Sequence, residues 1–293
     1  MESLPKRLTP EEKKRKLRER RKRLRRDRLQ AAGDSGLLTW AQQWLRAAIL
    51  RIGKASRPVF DGAIARFSAY PDAGYPDPSF FPWVPEIEAK TEVIQKELEV
   101  LLRDASRLPE LRVLSPDHSR IADSGKWRAF FLMGYGHRAE LGVRLCPETM
   151  AALEKVPRLE SAFFSVLLPG MHIRRHRGPT KSLVVCHLGL RVPADSEKCV
   201  IAVDREKRPW VEGEVLIFDD THKHEVWNDT DEMRVVLLMH VRRPLRFPGS
   251  LVGDFIFNAI RLSPFVKDGR RNVEKWEKTF NLDQAPTDAS AAD

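Results

Sequence analysis

The chain is poor in several features, and each shortage excludes a class of protein. Its three cysteines, Cys146, Cys186 and Cys199, show no CxxC spacing. Neither a disulfide framework nor a thiolate zinc site is expected, and a reducing compartment is. No run of about 18 uncharged apolar residues occurs, and the N-terminus lacks the apolar core of a secretory signal. An intracellular chain that does not span a membrane is therefore expected. There is no internal repeat, no glycine-rich phosphate loop and no GxSxG elbow, which excludes repeat arrays, P-loop enzymes and α/β-hydrolases. What remains, at 293 residues, is room for one domain of roughly 150 to 200 residues with extensions.

Positive charge is abundant but confined. Between Met1 and Arg28 stand fourteen Lys and Arg against five Asp and Glu, so this arm carries nine of the ten net positive charges. The rest of the chain is nearly neutral, which argues against a body built to bind nucleic acid. The arm reads as residues 1–33, either a solvated charged segment or a membrane-surface anchor. Residues 34–69 follow, in which Leu37, Trp40, Trp44, Leu45, Ala48 and Ile52 fall on one helical face flanked by Arg46, Arg51 and Lys54. Two tryptophans and a basic rim suit a helix lying in a lipid headgroup layer, and "SLVGDFIFNAIRLSPFV" near the C-terminus could join the same surface. The implied location is cytoplasmic, with peripheral attachment to the inner face of a membrane.

Residues 70–110 combine a Pro- and Gly-rich boundary, "YPDAGYPDPSFFPWVP", with an amphipathic helix, "EIEAKTEVIQKELEVLLRDAS". From Trp127 the texture changes to short apolar runs broken by turns: "WRAFFLMGYG", "SAFFSVLLPG", "SLVVCHLGLRVP", "KCVIAVD", "GEVLIFDD", "HEVWND" and "EMRVVLLMHVRRP". Such spacing predicts an antiparallel sandwich or barrel over residues 111–245, with a helical extension and polar tail over 246–293. His176 and His224 each fall at the mouth of a strand. Two imidazoles delivered from converging strands can share a metal, although a lone strand histidine is more often structural.

The run "HRGPTKSLVVCHLGLRVP", followed by "WVEGEVLIFDDTHKHEVWND" and "EMRVVLL", resembles the aspartyl/asparaginyl β-hydroxylase family of Fe(II)- and 2-oxoglutarate-dependent oxygenases, with "SAFFSVLLPG" and "KWRAFFL" upstream extending the match. The resemblance implies a double-stranded β-helix (jelly-roll) barrel, mainly β, with flanking N- and C-terminal helices. It implies His176 and His224 as iron ligands. Arg234 would hold the 5-carboxylate of 2-oxoglutarate, with Ser165 as a hydroxyl donor and His187 as a pocket contact. Gly178 stands where most 2-oxoglutarate oxygenases place a carboxylate ligand, a departure shared with this family. Asp220 is then the expected partner that orients a ligand or a bound water, while Asp219 serves the turn. Dioxygen and 2-oxoglutarate would be consumed in hydroxylating an unactivated C–H bond. Of the other histidines, His172 is expected to be exposed, His240 to be structural, and His222 receives no role.

Two substrate classes remain open at this point, an acyl lipid and an Asp- or Asn-containing peptide. Leu183 and Val185 would form an apolar wall, whereas Lys181, Arg174, Arg175 and Arg177 near the mouth could receive an anionic group. A non-catalytic jelly-roll binding module tethered by its arm is the rival reading. It predicts no iron dependence and indifference to substitution of Arg234.

Overall fold

The structure is a computed structural model and describes residue 19 and residues 40–115, 121–122 and 125–280. The basic arm, Glu19 apart, lies outside the described residues. So do Leu37 and the side chains of Trp40, Trp44, Leu45, Ala48 and Ile52, on which the interfacial helix was expected to rest.

Ten strands form two antiparallel sheets. They are β1 (Trp127–Gly134), β2 (His137–Arg138), β3 (Leu159–Leu167), β4 (Met171–His176), β5 (Leu183–Arg191), β6 (Cys199–Val203), β7 (Glu206–Pro209), β8 (Val215–Phe218), β9 (His224–Asn228) and β10 (Arg234–Arg242). The large sheet runs β2-β1-β3-β10-β5-β8 and the small one β4-β9-β6-β7. From β3 onward the chain alternates between the sheets, apart from the hairpin of β6 and β7. This is the winding of a double-stranded β-helix, as expected.

Burial explains which strands were legible. Successive residues of the large-sheet strands feed two separate cores. Phe163, Leu167, Val185, Val236 and Leu238 point into the barrel, while Phe164, Val166, Val184, Cys186, Leu188, Val235 and Leu237 point outward. The outer face is covered by α2 (Val84–Glu88), α3 (Thr91–Leu102), α5 (Glu140–Leu145) and α6 (Pro147–Glu154), with the short α4 (Leu111–Leu114) beside β1. Wetted on neither face, β5 reads as a continuous apolar run. The small sheet keeps one face toward solvent, so β4 alternates, and β7, "EKRP", is exposed throughout. A charged edge strand discourages further pairing and carries no apolar signature.

The helix expected across "EIEAKTEVIQKELEVLLRDAS" is broken at Ala89–Lys90, where Thr91 Oγ1 donates to the Glu88 carbonyl at 2.7 Å. A 28-residue helix, α1 (Trp40–Phe67), precedes the barrel and packs against α7 (Gly249–Arg261), which is followed by α8 (Pro264–Thr279). Among the described residues no helix is long and apolar enough to cross a membrane.

One fully buried ion cluster ties the mouth of the barrel together. Asp219, after β8, accepts from Lys181 Nζ at 2.8 Å, from the Arg243 guanidinium, and from the Thr221 amide at 2.9 Å. Lys181 also reaches Asp72 at 2.5 Å, and Arg243 Nε donates to the Lys181 carbonyl at 2.8 Å. Burial alone would raise the Asp219 pKa, but the two cations hold its carboxyl below the usual range. Asp219 thus serves the turn, as expected, and also neutralises two cations. Its replacement leaves the buried Arg243 without a counter-charge and Lys181 with Asp72 alone, so Asp219→Ala is expected to lower stability by about 3–5 kcal/mol in urea denaturation.

Candidate functional site

The two outer histidines are brought together by strand register. His176 ends β4, His224 begins β9, and they are paired directly across the small sheet, with ring centroids 4.0 Å apart. Each Nδ1 faces a main-chain carbonyl two residues earlier, that of Arg174 at 2.7 Å and that of His222 at 3.1 Å. Each Nδ1 therefore carries the proton and donates, which leaves both Nε2 lone pairs for a metal. Burial lowers both pKa values. That of His224 falls to about 4, helped by the neighbouring His176 ring, so both imidazoles are neutral at physiological pH.

Gly178, two residues after His176, lies against Asp220. Its amide donates to the Asp220 carbonyl at 2.7 Å, and a β-carbon built on it would overlap the Asp220 carboxyl group. The carboxyl of Asp220 therefore fills the space that a side chain at position 178 would occupy. Asp220 is buried, its Oδ1 has no hydrogen-bond partner, and burial, aided by the Asp219 charge, pushes its pKa up to about 7. The two neutral imidazoles fit a divalent cation, and the unused Asp220 oxygen lies where a side chain two residues after His176 would reach.

The remaining expected residues line the barrel interior away from the mouth. Phe218 links the two regions, with ring centroids 5.4 Å from His224 and 5.0 Å from His187. His187, on β5, is buried, and its Nδ1 accepts from Trp210 Nε1 at 3.2 Å. Its proton is therefore on Nε2, which has no acceptor. Burial and the Arg234 charge keep this ring neutral. Arg234, the first residue of β10, is 1% exposed and lies over the Trp210 ring at 4.5 Å. Its Nη1 donates to the Ser165 carbonyl at 3.4 Å, its Nε has no partner, and among the described residues no carboxylate pairs with it. Burial lowers its pKa only to about 10, so it remains a cation at neutral pH. Ser165 Oγ accepts from Trp127 Nε1 at 3.0 Å, which leaves its own proton for another acceptor.

Six buried side-chain polar atoms lack a partner among the described residues, and three of them belong to Asp220, His187 and Arg234. Buried polar groups are almost always satisfied in native proteins. Unsatisfied donors at His187 and Arg234, one of them cationic, could receive an anionic acceptor.

One expectation turns out differently. Lys181, expected to receive an anionic group at the mouth, is instead buried and held between Asp219 and Asp72. Its partners lie 38 and 109 residues away, so their charge was not visible locally. Arg175 and Arg177 remain exposed, and Arg174 is partly buried. His172 is exposed, 2.7 Å from Glu225 and stacked on Trp227. His240 contacts Ser161 Oγ at 2.8 Å. His222 meets Asp204 at 2.8 Å. Asp72, Asp219 and His222 converge closely enough for a metal, but the Lys181 ammonium already pairs with both carboxylates.

Trp210 was given no role from sequence, although it orients His187 and underlies Arg234. The glycine of "CHLGL" places it. A β-carbon at Gly189 would overlap the Val211 carbonyl, so only glycine lets the segment after β7 lie against β5.

Gly178→Ala is expected to displace the Asp220 carboxyl and weaken divalent-metal binding at least tenfold, measured by calorimetric titration with Mn(II), while the fold persists by circular dichroism.

Residues 88–244 match the family model described as aspartyl/asparaginyl beta-hydroxylase. Over 204 residues the chain is 42% identical to an ornithine lipid ester-linked acyl 2-hydroxylase of Rhizobium tropici, covering 70% of this chain and 73% of that protein. It is 35% identical over 173 residues to human aspartyl/asparaginyl beta-hydroxylase, covering 55% of this chain but only 22% of that protein. It is also 34% identical over 130 residues to human aspartate beta-hydroxylase domain-containing protein 2, covering 41% and 34% respectively.

Proposed function

The chain belongs to the aspartyl/asparaginyl β-hydroxylase family, and from that premise we propose that it is an Fe(II)- and 2-oxoglutarate-dependent dioxygenase that hydroxylates an acyl chain of a membrane lipid. The observation that carries this reading is Arg234. A guanidinium buried without a counter-ion is costly, and here it lies beside an unsatisfied His187 Nε2–H. The distal carboxylate of 2-oxoglutarate satisfies both, with a bidentate pairing that suits a planar guanidinium. The Ser165 hydroxyl supplies a third donor.

His176 and His224 would hold the iron through Nε2, and the Asp220 carboxyl, which takes the place of a side chain at Gly178, would orient a bound water. When bound, the iron supplies the chemistry by which dioxygen and 2-oxoglutarate convert a C–H bond to C–OH, releasing succinate and carbon dioxide. The chain's own residues bind, orient and exclude water. Phe163, Val185, Phe218 and Leu238 make the interior apolar, and the buried Asp219 cluster holds the loops after β4 and β8 in register around the metal position.

An acyl chain is favoured over an acidic peptide because Lys181 is already paired with Asp219 and Asp72, while Val185 offers an apolar wall. The similarity to the Rhizobium tropici acyl 2-hydroxylase, over most of its length, supports the same substrate class.

The test is to incubate the Fe(II)-loaded protein with 2-oxoglutarate, air and either ornithine lipid or an Asp-containing peptide, following succinate and product mass. Succinate formation coupled to one added oxygen on the ester-linked acyl chain is expected. Hydroxylation of the peptide alone would overturn the lipid assignment, and modification of neither without 2-oxoglutarate consumption would favour the binding module.

A further inference from the structure

The helix after the barrel, α7, buries Phe257 against the barrel and leaves a second apolar face in water. The only acidic residue of α7, Asp254, is half-exposed and pairs with Arg158 and with Arg242 at 2.8 Å. Phe257 packs inward, stacked on Tyr135 and under Arg242, but other apolar residues face out. Leu251 and Phe255, one turn apart, are 61% and 67% exposed, Phe247 just before the helix is 79% exposed, and Leu262 just after it is 69% exposed. The spacing 251, 255, 262 keeps three of these side chains on one helical face, and Phe247 stands just ahead of it. Monomeric proteins seldom leave such a row of large side chains in water.

The charge around this row is basic. Residues 246–271 contain five Lys and Arg against two Asp and Glu, and one of the two acids, Asp254, is already paired with Arg158 and Arg242. Arg246 and Arg261, which flank the row, are both exposed. The neighbouring α1 adds an exposed Val59 and an exposed Arg66, and it leads back toward the arm that holds nine of the ten net positive charges.

The position of this surface is defined by its links to the barrel mouth. Asp61 of α1 accepts from the Lys181 amide at 3.0 Å, in the loop that follows His176. The stretch between β10 and α7 is joined to the end of α1 through Arg246 N to Phe67 O at 2.7 Å and Ala69 N to Pro244 O at 2.9 Å. The same stretch begins at Arg243, which holds Asp219 beside Asp220. The outward face of α7 therefore lies at the end of the barrel that carries His176 and His224.

We propose that Phe247, Leu251, Phe255 and Leu262, rimmed by Arg246 and Arg261, dock on the surface of an anionic lipid bilayer and hold the mouth of the barrel against it. Apolar side chains enter the acyl boundary while the arginines stay at the headgroups, an arrangement that binds best when the lipid is anionic. The two contributions separate experimentally, because added salt weakens the arginine attraction and leaves the apolar one.

The experiment is co-sedimentation of the full chain with vesicles of phosphatidylcholine and phosphatidylglycerol, against phosphatidylcholine alone, with the Leu251→Glu/Phe255→Glu double variant beside the wild type. Both positions are exposed, so the fold should persist, which circular dichroism checks. Wild-type binding to the anionic vesicles, reduced at least tenfold in the double variant, is expected. Equal binding of both proteins would overturn the proposal and assign attachment to the arm alone. A wild-type dimer in analytical ultracentrifugation that the double variant abolishes would also overturn it, because the row would then be a contact between two copies. No iron or 2-oxoglutarate is added, so failure here leaves the proposed reaction standing.

Discussion

The site depends on one constraint, the tie between the loop that follows β4 and the loop that follows β8. The Gly178 amide donates to the Asp220 carbonyl, and next to it Asp219 neutralises both Lys181 and Arg243. With these loops held together, His176 and His224 pair across the small sheet and the Asp220 carboxyl takes the space beside Gly178. A larger residue at 178 would break that packing. Glycine is thus required by the position of a carboxyl that arrives from elsewhere in the chain, and the site retains a carboxyl group without one at the usual place in sequence.

The second constraint is electrostatic and lies deeper in the barrel. Arg234 is charged, buried and without a carboxylate among the described residues, stacked on Trp210, whose indole also orients His187. Natural interiors pair such a cation or exclude it. On the proposed reading a ligand that brings its own negative charge would balance it, and the apolar lining would strengthen that pairing by keeping water away.

Much of this was legible in the sequence, for identifiable reasons. The large-sheet strands are buried on both faces and announce themselves as apolar runs, which is why β3, β5 and β10 were expected where they occur. The ordered motifs around His176, His187, His224 and Arg234 carried the family resemblance, and the structure brings those side chains to one barrel interior and its mouth. What stayed hidden depends on contacts between distant segments. Lys181 looked available because Asp72 and Asp219 are remote in sequence, Trp210 looked like a loop residue, and β7 carried only charged and imino residues. The amphipathic pattern of α7 was visible, but which face meets the barrel was not. That depended on Phe257 finding Tyr135 and Arg242, and on Asp254 finding Arg158 and Arg242.

The most direct test of the central claim, that Arg234 awaits the carboxylate of a metal-chelated cosubstrate, is an anaerobic titration of the protein with Fe(II) and 2-oxoglutarate, following the visible charge-transfer band of the chelate. The wild type should develop the band at a half-saturating 2-oxoglutarate concentration at least a hundredfold below that of Arg234→Met, and His176→Ala should develop none. An equal titration of wild type and Arg234→Met would contradict the account, because the buried guanidinium would then have no part in holding the cosubstrate.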